Sequence, residues 1–273
     1  MKDYEYIRLN IEKGVATITF ASPRTRNALG LQAMRETLHA FDHLEARDEV
    51  GAVVLTGEGE GFCAGFQLKE IPTAEDGTEA IRAHFREAAM WWHQLLHRII
   101  RIPKPVLAAV NGVAAGSGLG MILAADLAVC TESATFLCAW HSIGIANDAG
   151  TSYTLAKIVG FRRAMELMLT NRSLGAREAL EWGIVNRVYT AGEFAKNVAE
   201  IAQGLADAPT HLQAMAKERF HMGWNQGLEE CTEFEIQNVL ASVSHPHFKP
   251  CLEAFLAGNK RNVEQVRLPE GLA

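Results

Sequence analysis

The stretch Gly116-Ser-Gly-Leu-Gly120 is one of three places where this chain carries groups that are able to do chemistry. It follows a predicted strand and opens a predicted helix, and glycines there let backbone N–H groups approach a ligand oxygen. The glycine spacing is not the dinucleotide fingerprint. It is not a nucleophile elbow either, because alanine and leucine stand where that motif has glycines. By itself, such a loop more often serves tight packing of a helix on a strand.

A histidine pair, His93 and His97, forms the second place. A spacing of four on a helix suits a metal, but the glutamate of the zinc-protease motif is missing and the sequence suggests no third ligand nearby. His93 lies one position from the apolar stripe of its predicted helix. A histidine at such a boundary usually has a structural role.

The third place is Asn147-Asp148-Ala-Gly150, which follows an apolar stretch. An aspartate here ordinarily caps the next helix, which is predicted to begin near Thr151. The alternative is a reactive carboxylate. Three tryptophans, Trp91, Trp92 and Trp140, lie close to these candidates in the sequence, and their ordinary role is core packing.

The elements that must position these residues follow from hydrophobic periodicity. Val15–Phe20 alternates apolar and polar residues, which predicts a half-buried strand. Val50–Thr56 and Pro105–Val110 are nearly continuous apolar runs, typical of strands buried on both faces. A long helix is predicted over 79–100, ended by prolines at 103 and 105. Further strands are predicted over Leu127–Cys130 and Thr135–Cys138, and helices over 31–44 and 152–170. The result is an α/β fold in which a β-β-α unit recurs.

The C-terminal part of the chain differs, because almost every segment after about residue 192 has a helical pattern and no clear strand. Helices are predicted over Phe194–Leu205, His211–Met222, Leu228–Ser242 and Pro250–Ala257. We therefore predict a catalytic core over 1–205 and a helical region over 206–273, whose apolar faces are buried between subunits.

Composition limits the function classes. Hydrophobic residues make up 48% of the 273 residues, which argues against a disordered chain. The net charge of −6 and the lack of long Lys/Arg runs argue against a nucleic-acid-binding face. The five cysteines are widely spaced and form no CxxC pair, as expected of reduced thiols in the cytoplasm. No apolar run is long enough to span a membrane.

The whole chain, over about residues 4 to 260, resembles the crotonase superfamily. The segments that carry the resemblance are Asn27-Ala-Leu29, Phe62-Cys-Ala-Gly-Phe66, Pro105-Val-Leu-Ala-Ala-Val-Asn-Gly112, Gly116-Ser-Gly118 and Asp126. The resemblance implies a spiral of β-β-α units, followed by a C-terminal helical region that builds trimers or dimers of trimers. It also implies that the backbone N–H groups of Phe66 and Ser117 bind the oxygen of an acyl-CoA thioester. The family usually has glycine at the second position.

The hydratases of this family use two glutamates, whereas Gly120 and Trp140 stand at the matching positions here. The segments Trp91-Trp-His-Gln94, Cys138-Ala-Trp-His141 and Asn147-Asp148 instead resemble a branch that removes halide from aromatic acyl-CoA thioesters. That resemblance implies 4-chlorobenzoyl-CoA as the substrate. Asp148 would attack the chlorine-bearing carbon, and His93 would help water to hydrolyse the resulting ester. Trp140 would orient Asp148.

The resemblance also assigns binding residues. Phe85 and Trp92 would wall a flat aromatic pocket with Trp140, and Glu235 would lie near it. Coenzyme A would contact Arg26, Ala64 and Lys69, together with Lys260 from a neighbouring subunit. CoA enters as part of the substrate, so we expect no separate cofactor and no metal.

Two alternatives stay open at this point. One is another crotonase reaction, such as isomerisation or hydration of a double bond, with Asp148 carrying a proton. The other is a non-catalytic crotonase-like scaffold that binds RNA or protein. The acidic net charge and the set formed by His93, Asp148 and Trp140 argue against the scaffold.

Overall fold

The computed structural model of the protein describes residues 3–258 and contains two β-sheets, with helices packed around them. Its strands are β1 (Ile7–Glu12), β2 (Val15–Phe20), β3 (Ala52–Gly57), β4 (Gly61–Cys63), β5 (Val106–Val110), β6 (Val113–Ala115), β7 (Leu127–Thr131), β8 (Thr135–Leu137), β9 (Leu174–Gly175) and β10 (Arg187–Tyr189). The helices are α1 (Leu31–Glu45), α2 (Thr78–Arg101), α3 (Ser117–Ala124), α4 (Thr151–Val159), α5 (Phe161–Thr170), α6 (Ala176–Glu181), α7 (Ala191–Asp207), α8 (Thr210–Gly223), α9 (Leu228–Ser244) and α10 (Phe248–Leu256).

The recurring β-β-α unit predicted from the sequence is confirmed. The larger sheet has the order β1-β2-β3-β5-β7-β10 and the smaller sheet has the order β4-β6-β8-β9. Each unit gives its first strand to the larger sheet and its second strand to the smaller sheet, and then a helix follows, as in β3-β4-α2, β5-β6-α3 and β7-β8-α4. Successive units therefore stack into a spiral, in which equivalent loops meet along one edge.

Burial explains why the longer elements could be predicted. β2 alternates, with Ala16, Ile18 and Phe20 fully buried. β5 is buried at every position, because it lies between β3 and β7 with helices on both faces. The three-residue strands β4, β6 and β10 were not predicted, since three residues do not establish a period.

One boundary differs from the predictions, because the strand predicted from Val50 begins at Ala52. The helices predicted over 152–170 are α4 and α5, separated at Gly160, whose φ of +82° suits glycine. The long helix α2 ends at Arg101, two residues before Pro103, as predicted.

The C-terminal helices pack in two ways. α7 lies on the larger sheet, where Ile201, Ala202 and Leu205 contact the residues of β3, β5 and β7. By contrast, α8, α9 and α10 contain no buried residue in the single chain. The boundary predicted at 205/206 falls in the last turn of α7, and the division into two domains stays a prediction. No helix within residues 3–258 combines the length and the apolar character needed to cross a membrane.

Candidate active site

A narrow cavity lies where α2 crosses the loops that follow β4, β6 and β8. Its volume is about 120 Å³, close to the roughly 150 Å³ of an engineered protein cavity that holds one benzene molecule. Aromatic and aliphatic side chains line most of it: Phe66, Leu68, Phe85, Ala88, Ala89, Trp92, Ala139, Trp140, Ile143 and Ile145. The volume and the lining suit an apolar ring.

One end of the cavity is formed by backbone groups. Phe66 follows β4 and Ser117 is the first residue of α3, and both line the cavity. Among the hydrogen bonds of the described residues, none uses the N–H of Phe66 or of Ser117. The residue before the helix is Gly116, and the first turn has no side-chain cap and no acidic residue. The positive end of the helix dipole is therefore open to a ligand oxygen.

Glycines bring these two backbone groups close together. Gly65 has φ +91°, and a Cβ atom there would lie 2.8 Å from the carbonyl oxygen of Ala115 and 3.4 Å from the nitrogen of Ser117. A Cβ atom at Gly118 would lie 2.1 Å from the carbonyl oxygen of Cys63. The first turn of α3 is thus pressed onto β4. Both interpretations of the glycine-rich loop hold: it packs tightly, and it leaves N–H groups exposed.

The other end of the cavity is formed by side chains. Asp148 is the one ionisable side chain among the described residues that line the cavity. Its Oδ1 lies 2.8 Å from Nε2 of His93, which projects from α2. The side chains of His93 and Asp148 are 51% and 37% exposed, so water can reach the pair from outside. The helix-cap interpretation of Asp148 is wrong for its side chain, since only its backbone oxygen contacts Thr151 and Gly150 precedes α4.

The loop that carries Asp148 has an unusual backbone. Ala139 and Ala149 adopt φ of +68° and +56°, values that are uncommon for residues other than glycine. Asn171 braces the loop, because its Oδ1 accepts a hydrogen bond from the N–H of Ala139 and its Nδ2 donates one to Ser142. Sequence reasoning missed Asn171, which lies 23 residues beyond Asp148 in the chain and carries no motif.

This loop packs against α3 at Gly120. A Cβ atom at Gly120 would lie 2.6 Å from the carbonyl oxygen of Ala149 and 2.7 Å from its Cβ atom. Any side chain at Gly120 would therefore collide with the residue next to Asp148. The backbone that presents Asp148 therefore packs directly against Gly120.

Two thiols near the cavity are poor nucleophiles. Burial raises the pKa of Cys63 to about 12 and that of Cys138 to about 11. Thiols with such values carry almost no thiolate at neutral pH.

The remaining predicted residues fall into three groups. Phe85, Trp92 and Trp140 line the cavity, although no hydrogen bond between Trp140 and Asp148 occurs among the described residues. The role of Trp140 in orienting Asp148 stays a prediction. Ala64 lines the cavity as well, and its N–H donates to the carbonyl oxygen of Arg26.

Arg26 and Lys69 are exposed near the mouth, on the two segments joined by the bridge between Leu29 and Phe66. Neither forms an ion pair with a described residue. Glu235 lies on an exposed face of α9 and does not line the cavity, because α9 packs with α8 and α10 rather than on the core. Its place near the pocket stays a prediction. Lys260 lies outside the described residues.

The chain is similar to several known proteins. The sequence profile of the family "Enoyl-CoA hydratase/isomerase" matches residues 10–265. Two proteins of Arthrobacter sp, 4-chlorobenzoyl coenzyme A dehalogenase-1 and dehalogenase-2, are each 54% identical over 257 residues, covering 94% of this chain and 92% of theirs. The 1,2-epoxyphenylacetyl-CoA isomerase of Escherichia coli K12 is 30% identical over 93% of this chain and 96% of its own. A crystal structure of a putative enoyl-CoA hydratase/isomerase from Mycobacterium abscessus superimposes with a TM-score of 0.87 at 29% identity, covering 93% of this chain and 97% of the other.

Proposed function

The chain belongs to the enoyl-CoA hydratase/isomerase family, the crotonase superfamily, and we propose that it hydrolyses 4-chlorobenzoyl-CoA to 4-hydroxybenzoyl-CoA and chloride. The observation that carries the proposal is the single carboxylate of Asp148 in a cavity otherwise lined by aromatic, aliphatic and backbone groups. The identity of 54% to two proteins named as dehalogenases of this substrate supports the same reaction. Hydration by a pair of glutamates is disfavoured, since Gly120 and Trp140 occupy those positions.

The backbone end of the cavity supplies the activation. A chlorinated ring resists substitution unless it can accept electrons, and the para thioester carbonyl is the acceptor. The N–H groups of Phe66 and Ser117 donate to the thioester oxygen, where negative charge accumulates during the attack. Preorganised donors at a helix N-terminus are most effective where charge develops in the transition state.

The side-chain end supplies the nucleophile. A carboxylate is already ionised at neutral pH, so Asp148 needs no base for its attack. One carboxylate oxygen bonds to the chlorine-bearing carbon, chloride leaves with the bonding electrons, and an aryl ester of Asp148 remains. Water then attacks the acyl carbon of that ester. The aspartate is restored, and its former oxygen leaves as the hydroxyl of the product.

His93 is placed to assist the second step. An ionised carboxylate only accepts hydrogen bonds, so Nε2 of His93 carries a proton while it contacts Asp148 at 2.8 Å. Formation of the ester removes the charge that holds this proton in place. Exchange with solvent then moves the ring proton from Nε2 to Nδ1, and the lone pair of Nε2 is able to take a proton from the attacking water. The exposure of the pair gives both the proton and the water a path.

The aromatic walls hold the ring between the two ends. Phe85, Trp92 and Trp140 restrict the benzoyl group to one plane, which aims its para carbon at Asp148. Arg26 and Lys69, with Lys260 of a neighbouring subunit, attract the phosphates of CoA at the mouth. CoA arrives as part of the substrate, and neither step as written uses a metal or a redox cofactor.

The experiment that tests the proposal is incubation with 4-chlorobenzoyl-CoA and measurement of released chloride. We expect one chloride and one 4-hydroxybenzoyl-CoA for each substrate consumed. Parallel samples contain a 2-enoyl-CoA and a 3-enoyl-CoA, which report hydration and isomerisation. Isomerase or hydratase turnover without chloride release would replace the proposal with another reaction of the family.

We further propose that the active protein is a trimer or a dimer of trimers in the cytoplasm. The helices α8, α9 and α10 expose large apolar side chains that a solitary chain would leave in water, among them Phe220 (79%), Leu228 (74%) and Leu256 (74%). All five cysteines are unpaired, as suits a reducing compartment. The molar mass measured by light scattering should be three or six times the 29.9 kDa of one chain. The mass of a single chain would contradict the assembly.

A further inference from the structure

Three histidines meet among the C-terminal helices, away from the active-site cavity. His211 lies in the first turn of α8, His245 is the residue that follows α9, and His247 immediately precedes α10. Each offers one ring nitrogen, and these nitrogens all lie within 4.8 Å of one another. We propose that the three imidazoles bind one divalent transition-metal ion.

The three rings lie in contact with one another. The ring of His211 stacks on that of His245, with centroids 3.7 Å apart, and the ring of His247 lies 4.9 Å from His245. Within this group, the one hydrogen bond runs from the backbone N–H of His247 to Nδ1 of His245, and its length of 3.3 Å marks it as weak. None of the three rings pairs with a carboxylate among the described residues. Nitrogen lone pairs therefore remain available for a cation.

The donor type determines which cations fit. Imidazole suits Zn²⁺, Cu²⁺ and Ni²⁺, whereas Mg²⁺ and Ca²⁺ prefer oxygen ligands. Three protein nitrogens leave a fourth position of a tetrahedral zinc ion for water. Separations of up to 4.8 Å are somewhat wide for direct coordination, so small side-chain rotations must draw the nitrogens together.

Binding of an ion would stabilise the packing of the C-terminal helices. The three residues belong to three segments that the chain itself holds weakly, since α8, α9 and α10 contain no buried residue. A shared ion would link the turn between α9 and α10 to the first turn of α8. A ligand that binds only the folded arrangement stabilises it by mass action.

The test uses full-length protein without a histidine tag, treated with a chelator and titrated with ZnCl₂ or MgCl₂ in a calorimeter. We expect one Zn²⁺ per chain and no saturable Mg²⁺ binding. His211→Gln and His247→Gln should each weaken Zn²⁺ binding by more than about 100-fold, because even loss of an outer partner of a metal ligand costs about 10–100-fold. Zn²⁺ should also raise the melting temperature of the wild type and not that of the variants.

His97→Gln is the matched control, since His93 and His97 on α2 are the other histidine pair at metal-binding spacing. This variant should bind Zn²⁺ as the wild type does. Unchanged binding in the double variant His211→Gln/His247→Gln, loss of binding in His97→Gln, or no binding by the wild type would each overturn the proposal. Circular dichroism establishes that each variant is folded, and His247, which is exposed, provides a variant with little effect on packing.

Discussion

The two ends of the active-site cavity differ in the groups that line them: backbone N–H groups at one end and side chains at the other. At the end that we propose for the thioester, two backbone N–H groups are held together by close glycine contacts at Gly65 and Gly118. At the end that we propose for the ring, the side chains of Asp148 and His93 project from a loop and a helix that meet at the surface. The first end depends on main-chain geometry, and the second depends on residue type.

This difference explains how one fold serves several reactions. Backbone donors stabilise charge on a thioester oxygen whatever happens elsewhere on the acyl group, so they suit a whole family. The chemistry is then decided by the side chains at the far end. Gly120 joins the two ends, because the space that any side chain there would need is filled by Ala149.

The largest effect should come from Asp148→Asn. The amide keeps the shape of the side chain but cannot attack the ring, so we expect no chloride release above background. The thioester end is untouched, and binding of unhalogenated benzoyl-CoA should change little. Chloride release is measured with an ion-selective electrode, and ligand binding by calorimetry. Residual chloride release at a tenth of the wild-type rate would mean that the ring end has another nucleophile.

His93→Gln should separate the two steps within the ring end. Glutamine can still donate to Asp148, so one chloride per site should appear in a burst. Turnover should then fall by about 10²–10⁴, the usual contribution of a general base. Mass spectrometry of the quenched protein should find the aryl adduct on Asp148. Slow chloride release without a burst would place His93 in the first step instead.

Ser117→Pro tests the thioester end alone. Proline is well tolerated at the first position of a helix, where Ser117 stands, and it removes only the N–H group. We expect a loss of about 10²–10³ in the rate of chloride release. Ser117→Gly is the control and should stay within a few-fold of the wild type, because the hydroxyl makes no hydrogen bond with the described residues. Equal losses in both variants would show that the hydroxyl takes part.

Gly120→Ala tests the junction between the two ends. The added methyl group must push Ala149 away, and a displacement near 1 Å at a reacting group costs about 10²-fold in rate. Overpacking should also lower the free energy of unfolding by about 1–3 kcal/mol, as seen in urea titrations. Gly192→Ala, in an exposed turn of α7 with no atom near its added Cβ, is the matched control and should affect neither quantity. A fully active Gly120→Ala would show that the loop adapts.

The repeat and the residues at the cavity could be predicted from the sequence, whereas the backbone conformation of the loop that carries Asp148 could not. The β-β-α repeat and α2 follow from periodicity, and the resemblance assigned Phe66, Ser117, Asp148 and His93, which all meet at the cavity. The positive φ values of Ala139 and Ala149 could not be predicted, since alanine does not favour them and distant contacts such as that of Asn171 impose them. The place of Glu235 near the pocket stays a prediction, because nothing in a local pattern shows how an exposed helix packs.

The covalent step at Asp148 is tested most directly by a single turnover in ¹⁸O-labelled water, with the protein in excess over 4-chlorobenzoyl-CoA. Water attacks the acyl carbon of the ester, so the label should enter the carboxylate of Asp148, and the first 4-hydroxybenzoyl-CoA formed should carry unlabelled oxygen. Peptide mass spectrometry locates the label in the protein, and mass spectrometry of the thioester measures it in the product. Label appearing at once in the product, with none at Asp148, would mean that water attacks the ring directly and that Asp148 is a base.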